Sequence, residues 1–395
     1  MKVLMYCQHV LGIGHLVRSA EIARALSLDA DVTFVSGGPA VLGIPFPAGV
    51  ERVQLPAIQT DEDFGTLENC GSVHTLEELQ DLRRHTLLGL LDALQPDALV
   101  IELFPFGRKR FAFELIPLLD RVRSQKPETL VVCSLRDILV EKSDQAKHEE
   151  RVCSIVNAYF DLVLVHGDMR FVRLDETFHR VAGLRCDIRY TGFVQQAGGE
   201  TSSQPAHIPG PTIVGSIGSG RYLQGQLLLE NVIQAAGLLH EQIPHHFHIF
   251  AGPFIPEGVY ARLRYLARAL GNVQVQAYSP HFIEHLTRAD LSISMGGYNT
   301  IMNVLAAGVP SLVYPYTAND DQEQHIRARR LQSLGIVELL HPEMLAPDLL
   351  AGKILRMIAK KPARIPFDMD GASKTASILR SAAATKAERL SGAIR

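Results

Sequence analysis

The sequence predicts two doubly wound α/β domains, and three observations carry that prediction. The chain has 395 residues, two to three times a domain size of about 150 residues. Short β-branched or aliphatic runs alternate with longer helical patterns from the first residue, the signature of βα units around a parallel sheet. A single polar break, QQAGGETSSQPAHIPGP at 195–211, is rich in Gly, Ser, Pro and Gln and reads as a linker. The expected division is therefore a first domain over 1–195, a linker over 196–210, a second domain over 211–365 and a terminal helix over 366–395.

In the first half, strands are expected near 2–7, 31–36, 97–103, 129–134 and 161–166. Between them RSAEIARAL, LEELQDLRRHTLLGLLDAL and 144–158 place apolar residues at helical spacing. In the second half TIVGSI (212–217), HFHIFA (246–251), NVQVQA (272–277), DLSISM (290–295) and PSLVYP (310–315) read as strands separated by helix-length segments. The tail DGASKTASILRSAAATKAERL, dense in Ala and Lys/Arg, reads as a final helix.

Composition narrows the function. Hydrophobic residues make up 47% and charged residues 21%, which is globular. The net charge of −3 offers no bulk positive excess for a nucleic-acid backbone, so nucleic acid is not the expected partner. Five cysteines, an odd number without a CxxC pair, fit neither a disulfide framework nor a zinc ribbon and suggest a cytoplasmic protein. No run approaches the ~18–20 apolar residues of a membrane span. Gln8 and His9 interrupt the apolar start, and no small-x-small cleavage site follows it.

Chemistry concentrates in loops that leave strands and enter helices. In HVLGIGHLVRS (9–19), Gly12 and Gly14 let backbone approach a ligand at a helix start. Val17 breaks G-x-G-x-x-G, and no acid closes the next strand, so an ordinary dinucleotide site is disfavoured. His15 stands at the carboxyl end of the first strand, where open α/β sheets bind ligands, and can serve as a general base. GSIGSGRY (215–222) repeats the arrangement, with Ser216, Gly218, Ser219, Gly220 and Arg221 placed for a phosphate. The densest stretch is 289–336. There Gly296 and Gly297 form a bend, Tyr298 and Asn299 follow it, Thr300 is placed to cap a helix that stops at Gly308, and that helix start can hold a diphosphate. Asn303 is polar on an otherwise apolar helix, and Asp320, Asp321, Gln322, Glu323 and Gln324 arrive after the next strand as partners for sugar hydroxyls.

The stretch 289–336 resembles the nucleotide-sugar signature of the two-domain, Rossmann-like GT-B glycosyltransferases, family 28-like branch, which contains the peptidoglycan N-acetylglucosaminyltransferase. GIGHLVRSAEIARAL (12–26) resembles the first glycine loop of that branch and of the related UDP-sugar hydrolase. The resemblance implies two facing Rossmann-like domains with an active site in the cleft, acceptor on the first and donor on the second. It implies a ribose contact where this chain has Asn303 in place of the usual Glu, and a base pocket at YSPHF (278–282), including Phe282.

Glu102, Arg136 and Asp137 follow strands in the first half; either carboxylate can orient His15 or replace it as base. Arg108, Lys109 and Arg110 among Phe104, Phe106 and Phe111 can meet an anionic acceptor or a membrane surface. His245, His246 and His248 with His281 and His285 look like metal ligands, but no third ligand completes a set and no metal is expected. The expected function is transfer of a sugar, with inversion and without a metal or other cofactor, from a nucleoside-diphosphate sugar, such as a UDP-sugar, to an acceptor hydroxyl or amine. Hydrolysis or epimerisation of a nucleotide sugar, and non-catalytic binding of one, are the alternatives.

Overall fold

The computed structural model describes residues 1–10, 13–41, 46–60, 66–197, 209–316, 322–361 and 363–393. Contacts divide the chain into two units, Met1–Gln195 with Phe367–Arg395, and Gln196–Pro366. Most of the linker read at 196–210 lies outside the described residues.

The first unit runs β1 (Lys2–Cys7), α1 (Gly14–Leu26), β2 (Asp31–Ser36), β3 (Val50–Gln54), β4 (Ile58–Thr60), β5 (Leu67–Asn69), α2 (Leu76–Leu94), β6 (Ala98–Glu102), α3 (Ala112–Gln125), β7 (Leu130–Arg136), α4 (Gln145–Tyr159), β8 (Leu162–His166) and β9 (Asp187–Tyr190). Seven strands form a parallel sheet ordered β3-β2-β1-β6-β7-β8-β9, and β4 pairs with β5 in a separate antiparallel hairpin. The five strands read from sequence are the buried ones: β6 and β8 are buried at every residue. The strands not anticipated lie where the hydrophobic pattern is weak. At the sheet edges, β3 buries only Val50 and β9 leaves every residue exposed or half-buried. Helix α2 starts at a capping box in which Thr75 and Glu78 satisfy each other's backbone N–H groups.

The second unit runs β10 (Thr212–Ser216), α5 (Leu223–Leu239), β11 (His246–Phe250), α6 (Glu257–Arg268), β12 (Val273–Gln276), α7 (Phe282–Thr287), β13 (Leu291–Met295), α8 (Tyr298–Ala307), β14 (Ser311–Tyr314), α9 (Glu323–Ser333), β15 (Glu338–Leu339) and α10 (Pro347–Ile358). Its sheet is ordered β12-β11-β10-β13-β14-β15, all parallel. Both units are thus doubly wound, as the alternation of runs predicts. Each reverses its strand order once, between β1 and β6 and between β10 and β13, and such a switch point opens a ligand crevice at the strands' carboxyl ends.

The last helix, α11 (Gly371–Ala393), is not a free-standing tail. Ala372, Ala376 and Leu379 are buried in the first unit's core with Leu16, Ile22 and Leu26 of α1. The chain returns to that unit at Phe367, whose ring stands edge-on to Phe171 at 5.0 Å and to Phe193 at 5.8 Å. Gly192 adopts φ 86° there, and a Cβ on it would sit 2.9 Å from Asp368. Only glycine permits that close approach.

Candidate active site

At the first switch point the sequence brings three charged or titratable side chains onto one hydrogen-bonded line. His15 lies one residue inside α1, and Glu102 is the last residue of β6, the strand beside β1. Nδ1 of His15 is 2.6 Å from Glu102 Oε1, and Arg18 Nη2 donates to the same oxygen at 2.5 Å. Arg18 follows His15 by three residues, so both project from one face of α1. Glu102 is fully buried and Arg18 is 2% exposed.

The electrostatics set the protonation states. Burial pushes the His15 imidazole down to about 4, against the opposing pull of Glu102. Burial on its own would raise Glu102, but the His15 contact and the charges of Arg18 and Arg108 outweigh it and hold the carboxyl near about 2. At neutral pH Glu102 is therefore ionised and His15 neutral. Since a carboxylate only accepts, Nδ1 carries the proton, donates it to Glu102, and leaves the lone pair on Nε2. A neutral imidazole held in that tautomer is a poised base. The expectation that Glu102 can itself replace His15 is corrected: both of its short contacts hold the ionised form, and an acid near 2 is a poor proton acceptor. Its other reading, as a group that orients His15, is compatible with the 2.6 Å contact between them.

A second buried network holds the loops around this line. Arg83, fully buried, donates to both oxygens of Glu114 and to Gln8 Oε1, Gly37 O and Pro56 O. Gln8 in turn donates to Ile58 O, and its own carbonyl accepts from Arg108 Nε at 2.7 Å. Asp137 follows β7, is 1% exposed and lies against Gly167; no hydrogen bond described here joins it to His15. Gly14 opens α1, whereas Gly12 lies outside the described residues. Phe104, Phe106 and Phe111 are 0%, 3% and 1% exposed. They pack in the core, so the reading that they meet a membrane surface is corrected.

The second switch point is built mainly of backbone and neutral side chains, with one exposed arginine on its loop. After Ser216 the chain turns through Gly218 at φ 67° and Gly220 at φ 86°, while Gly252, after β11, adopts φ 92°. A Cβ on Gly252 would stand 2.4 Å from the backbone of Ser219 and Gly220, so three glycines let the two loops touch. A Cβ on Gly218 would come 3.9 Å from Thr300 Oγ1, which places the glycine turn beside the first turn of α8. Ser216 is 3% exposed and its hydroxyl makes no hydrogen bond among the described residues. Ser219 is half-buried and Arg221 exposed, with the Arg221 guanidinium 4.8 Å from the Phe254 ring.

Helix α8 is capped at Gly297, without a side-chain bond; Thr300 sits in the first turn instead, which corrects its reading as the cap. The stop at Gly308, φ 67°, is as read. Gly296 is held from α9: Arg327 donates to its carbonyl at 3.1 Å, pairs with Glu323 at 2.7 Å and stands 5.5 Å from the Tyr298 ring. Gln324 accepts from Tyr316 N at 3.0 Å, Gln322 is exposed, and Asp320 and Asp321 lie outside the described residues. Asn299 is half-buried in the first turn of α8. Phe282 packs edge-on against Phe250 at 5.0 Å.

Asn303 is the largest departure from expectation. It is 2% exposed, its Oδ1 accepts from Gln196 N at 3.2 Å and its Nδ2 donates to Gln196 Oε1 at 2.6 Å. Both ends of the amide are engaged by Gln196 and the side chain is buried, so the ribose contact drawn from the resemblance would need Gln196 to share or release it. Among the histidines, His248 and His285 approach at 5.2 Å between ring centroids; among the described residues no group of three or more His, Cys, Asp or Glu is placed to hold a metal. No helix of the described residues is long and apolar enough to cross a membrane.

Residues 223–385 match the glycosyltransferase family 28 C-terminal domain. The match places a family 28 glycosyltransferase domain in the carboxy-terminal part of a chain with the GT-B fold. Its curated relatives include the UDP-N-acetylglucosamine–N-acetylmuramyl-(pentapeptide) pyrophosphoryl-undecaprenol N-acetylglucosamine transferases of Methylorubrum extorquens, 24% identical over 157 residues, and of Thermodesulfovibrio yellowstonii, 36% identical over 78. The first match covers 40% of this chain and 42% of that relative, the second 20% and 21%, so the chain matches less than half the length of either. Over nearly its whole length it shares the fold of a calicheamicin glycosyltransferase (TM-score 0.57, 17% identity, 99% of this chain and 97% of the other) and of MurG from Acinetobacter baumannii (0.51, 16%, 96% and 95%). A UDP-N-acetylglucosamine 2-epimerase homologue from Listeria monocytogenes shares it too (0.61, 11%, 95% and 90%).

Sequence reasoning passed over Arg18, Gly252 and Arg327. Arg18 was legible in the i, i+3 spacing from His15. Gly252 stands in the Gly-Pro pair that closes β11, an ordinary turn signal. Nothing local marks Arg327, whose partners lie on other elements.

Proposed function

We propose that this chain transfers a sugar, with inversion at the anomeric carbon, from a nucleoside-diphosphate sugar of the UDP class to an acceptor hydroxyl or amine. The observation that carries the reading is the His15–Glu102 bond, which fixes a neutral imidazole with Nε2 free to take a proton. His15 removes the acceptor's proton as the new glycosidic bond forms and the bond to the diphosphate oxygen breaks; Glu102 stabilises the imidazolium that results. Gly218, Ser219 and Gly220 with the start of α8 at Gly297–Thr300 receive the leaving diphosphate through backbone N–H groups and the helix dipole, an arrangement that needs no metal. Ser216, Arg221 and Phe282 complete the donor side, with Tyr298, Asn299, Gln322 and Gln324; Asp137, which follows β7, is the alternative base. Five cysteines without a disulfide fit a reducing cytoplasm.

Incubation with UDP-, GDP-, ADP- and TDP-sugars, with and without acceptor hydroxyls and amines, tests the reading. Nucleoside diphosphate released only with acceptor supports transfer. Release to water alone identifies a hydrolase, a product epimeric at the sugar an epimerase, and binding without turnover a non-catalytic protein.

A further inference from the structure

From the geometry around Arg108 we infer that the first unit recognises an acceptor bearing an oxyanion, carboxylate or phosphoryl, beside its hydroxyls, and that Arg108 is the residue that selects it. The inference rests on the transferase reading, since it names the class of acceptor His15 would deprotonate.

Arg108 is held in a costly conformation. Its backbone is left-handed, φ 57° and ψ 27°, which an L side chain adopts at about 1–2 kcal/mol. Its Nε is fixed on Gln8 O at the end of β1, and Gln8 is itself fixed by Arg83 and Ile58. The terminal nitrogens make no hydrogen bond and meet no carboxylate among the described residues, and the side chain is only half-buried. The charge nonetheless reaches the base: Arg108 depresses both His15 and Glu102. Burial in turn lowers Arg108 itself, opposed by Glu102 and Cys7 and assisted by Arg136. No ion pair joins Glu102 to it among the described residues; Glu102 Oε1 is instead shared between His15 and Arg18. A planar fork with its two end nitrogens open is suited to bidentate binding of a carboxylate or phosphoryl group.

Two buried acceptors lie in the same electrostatic neighbourhood. His9 is 1% exposed; its Nε2 bonds Pro39 O, so Nδ1 keeps a lone pair that meets no donor. Glu102 Oε2 is likewise buried without a partner. Buried acceptors of this kind are ordinarily met by a ligand or a water, and hydroxyl groups would serve. Lys109 and Arg110, which follow Arg108, are exposed, so they supply charge without a fixed geometry.

The test uses the full chain with excess UDP present and follows the His15 ring resonance in isotope-labelled histidine, assigned with His15→Asn, during titration with glycerol 3-phosphate, glycerate and glycerol. Either anion should bind at least tenfold more tightly than glycerol, phosphate leading if the acceptor is phosphorylated and glycerate leading if it is a carboxylic acid. Arg108→Gln should abolish that preference, Arg108→Lys should restore part of it, and Arg110→Gln should leave it within twofold. Equal binding of all three probes overturns the inference, as does an equal loss in Arg110→Gln, which would reduce the effect to bulk charge. Calorimetric titration of UDP alone reads the donor side independently. Absence of UDP binding would refute the donor assignment while the Arg108 comparison still stood or fell by its own titration.

Discussion

The two units place a crevice at the same point of the strand order and furnish it with opposite chemistry. Between β1 and β6 the crevice is lined with Arg18, Glu102, Arg108 and His15, buried or half-buried and electrostatically coupled. Between β10 and β13 it is furnished mainly with glycine backbone and neutral side chains, with Arg221 exposed on its loop and the buried ion pair Arg327–Glu323 turned to the carbonyl of Gly296. Under the proposed function the difference follows from what each would have to handle. Moving a proton needs a titratable group whose charge is set by fixed partners, whereas receiving a diphosphate needs N–H donors and a helix dipole, beside which a carboxylate would be repelled. Burying charge is expensive unless each ion is paired, and the first unit meets that cost with the shared oxygen of Glu102.

The sharpest way to break the comparison is to remove the proton-handling group. His15→Ala is expected to lower turnover by roughly 10²–10⁴-fold with little change in the donor dissociation constant; near wild-type turnover would move the base elsewhere, with Asp137 next to examine. Glu102→Gln keeps a hydrogen-bonding oxygen but removes the charge, so turnover should fall and the residual activity should titrate differently from wild type. The pH profile sharpens this. With His15 held down to about 4, kcat/KM should stay flat from about pH 8 to about 5 and fall only toward pH 4; an acid limb near the ordinary histidine value of about 6.5 would contradict the buried, neutral His15. The stability has the matching sign. Unfolding frees an imidazole that binds a proton at higher pH than the folded one, so the unfolded state gains protons first, and His15's contribution, present above about 6.5, is lost as pH falls from there toward 4.

The second crevice is broken by filling its backbone contact. Gly252→Ala adds a methyl group 2.4 Å from the backbone of Gly220 at φ 92°, so the loop 217–221 must shift. Calorimetry should show nucleotide binding weakened by about tenfold or more, given overpacking costs of about 1–3 kcal/mol. The first unit should keep its anion preference. Unchanged nucleotide affinity would show that the diphosphate does not rest on that turn.

The sequence carried the architecture wherever the hydrophobic period was strong. The central strands are apolar because both faces are covered, and runs such as ALVI and LVLV announce themselves. The edge strand β3, VERVQ, exposes Glu51, Arg52 and Gln54 and has no such signal. At the site, His15 was legible from its loop and Gly218 from its turn, because both depend on local geometry. The pairing of Glu102 with His15 spans 87 positions, and only the adjacency of β1 and β6 creates it. Asn303 shows the converse failure: a polar residue on an apolar helix suggested an open site, while its partner Gln196, 107 positions away, makes it a buried structural contact.

That contact supplies the smallest expected effect, and a test of whether Asn303 belongs to the donor side at all. Asn303→Asp replaces an amide that donates to Gln196 Oε1 and accepts from Gln196 N by a carboxyl that can do both only when protonated. Burial disfavours its ionised form, so its folded pKa rises above the unfolded value of about 3.9. The folded state then holds a proton that the unfolded state releases, and stability falls as pH rises through that window. The variant should match the wild type near pH 4 and lose about 1–3 kcal/mol by pH 7, the usual cost of an unsatisfied buried group, or several degrees of Tm. Nucleotide affinity should be unchanged wherever the variant is folded. A pH-independent Tm difference would show that the side chain is solvated. A tenfold change in nucleotide affinity would return Asn303 to the donor site and show that Gln196 gives way when the sugar nucleotide binds.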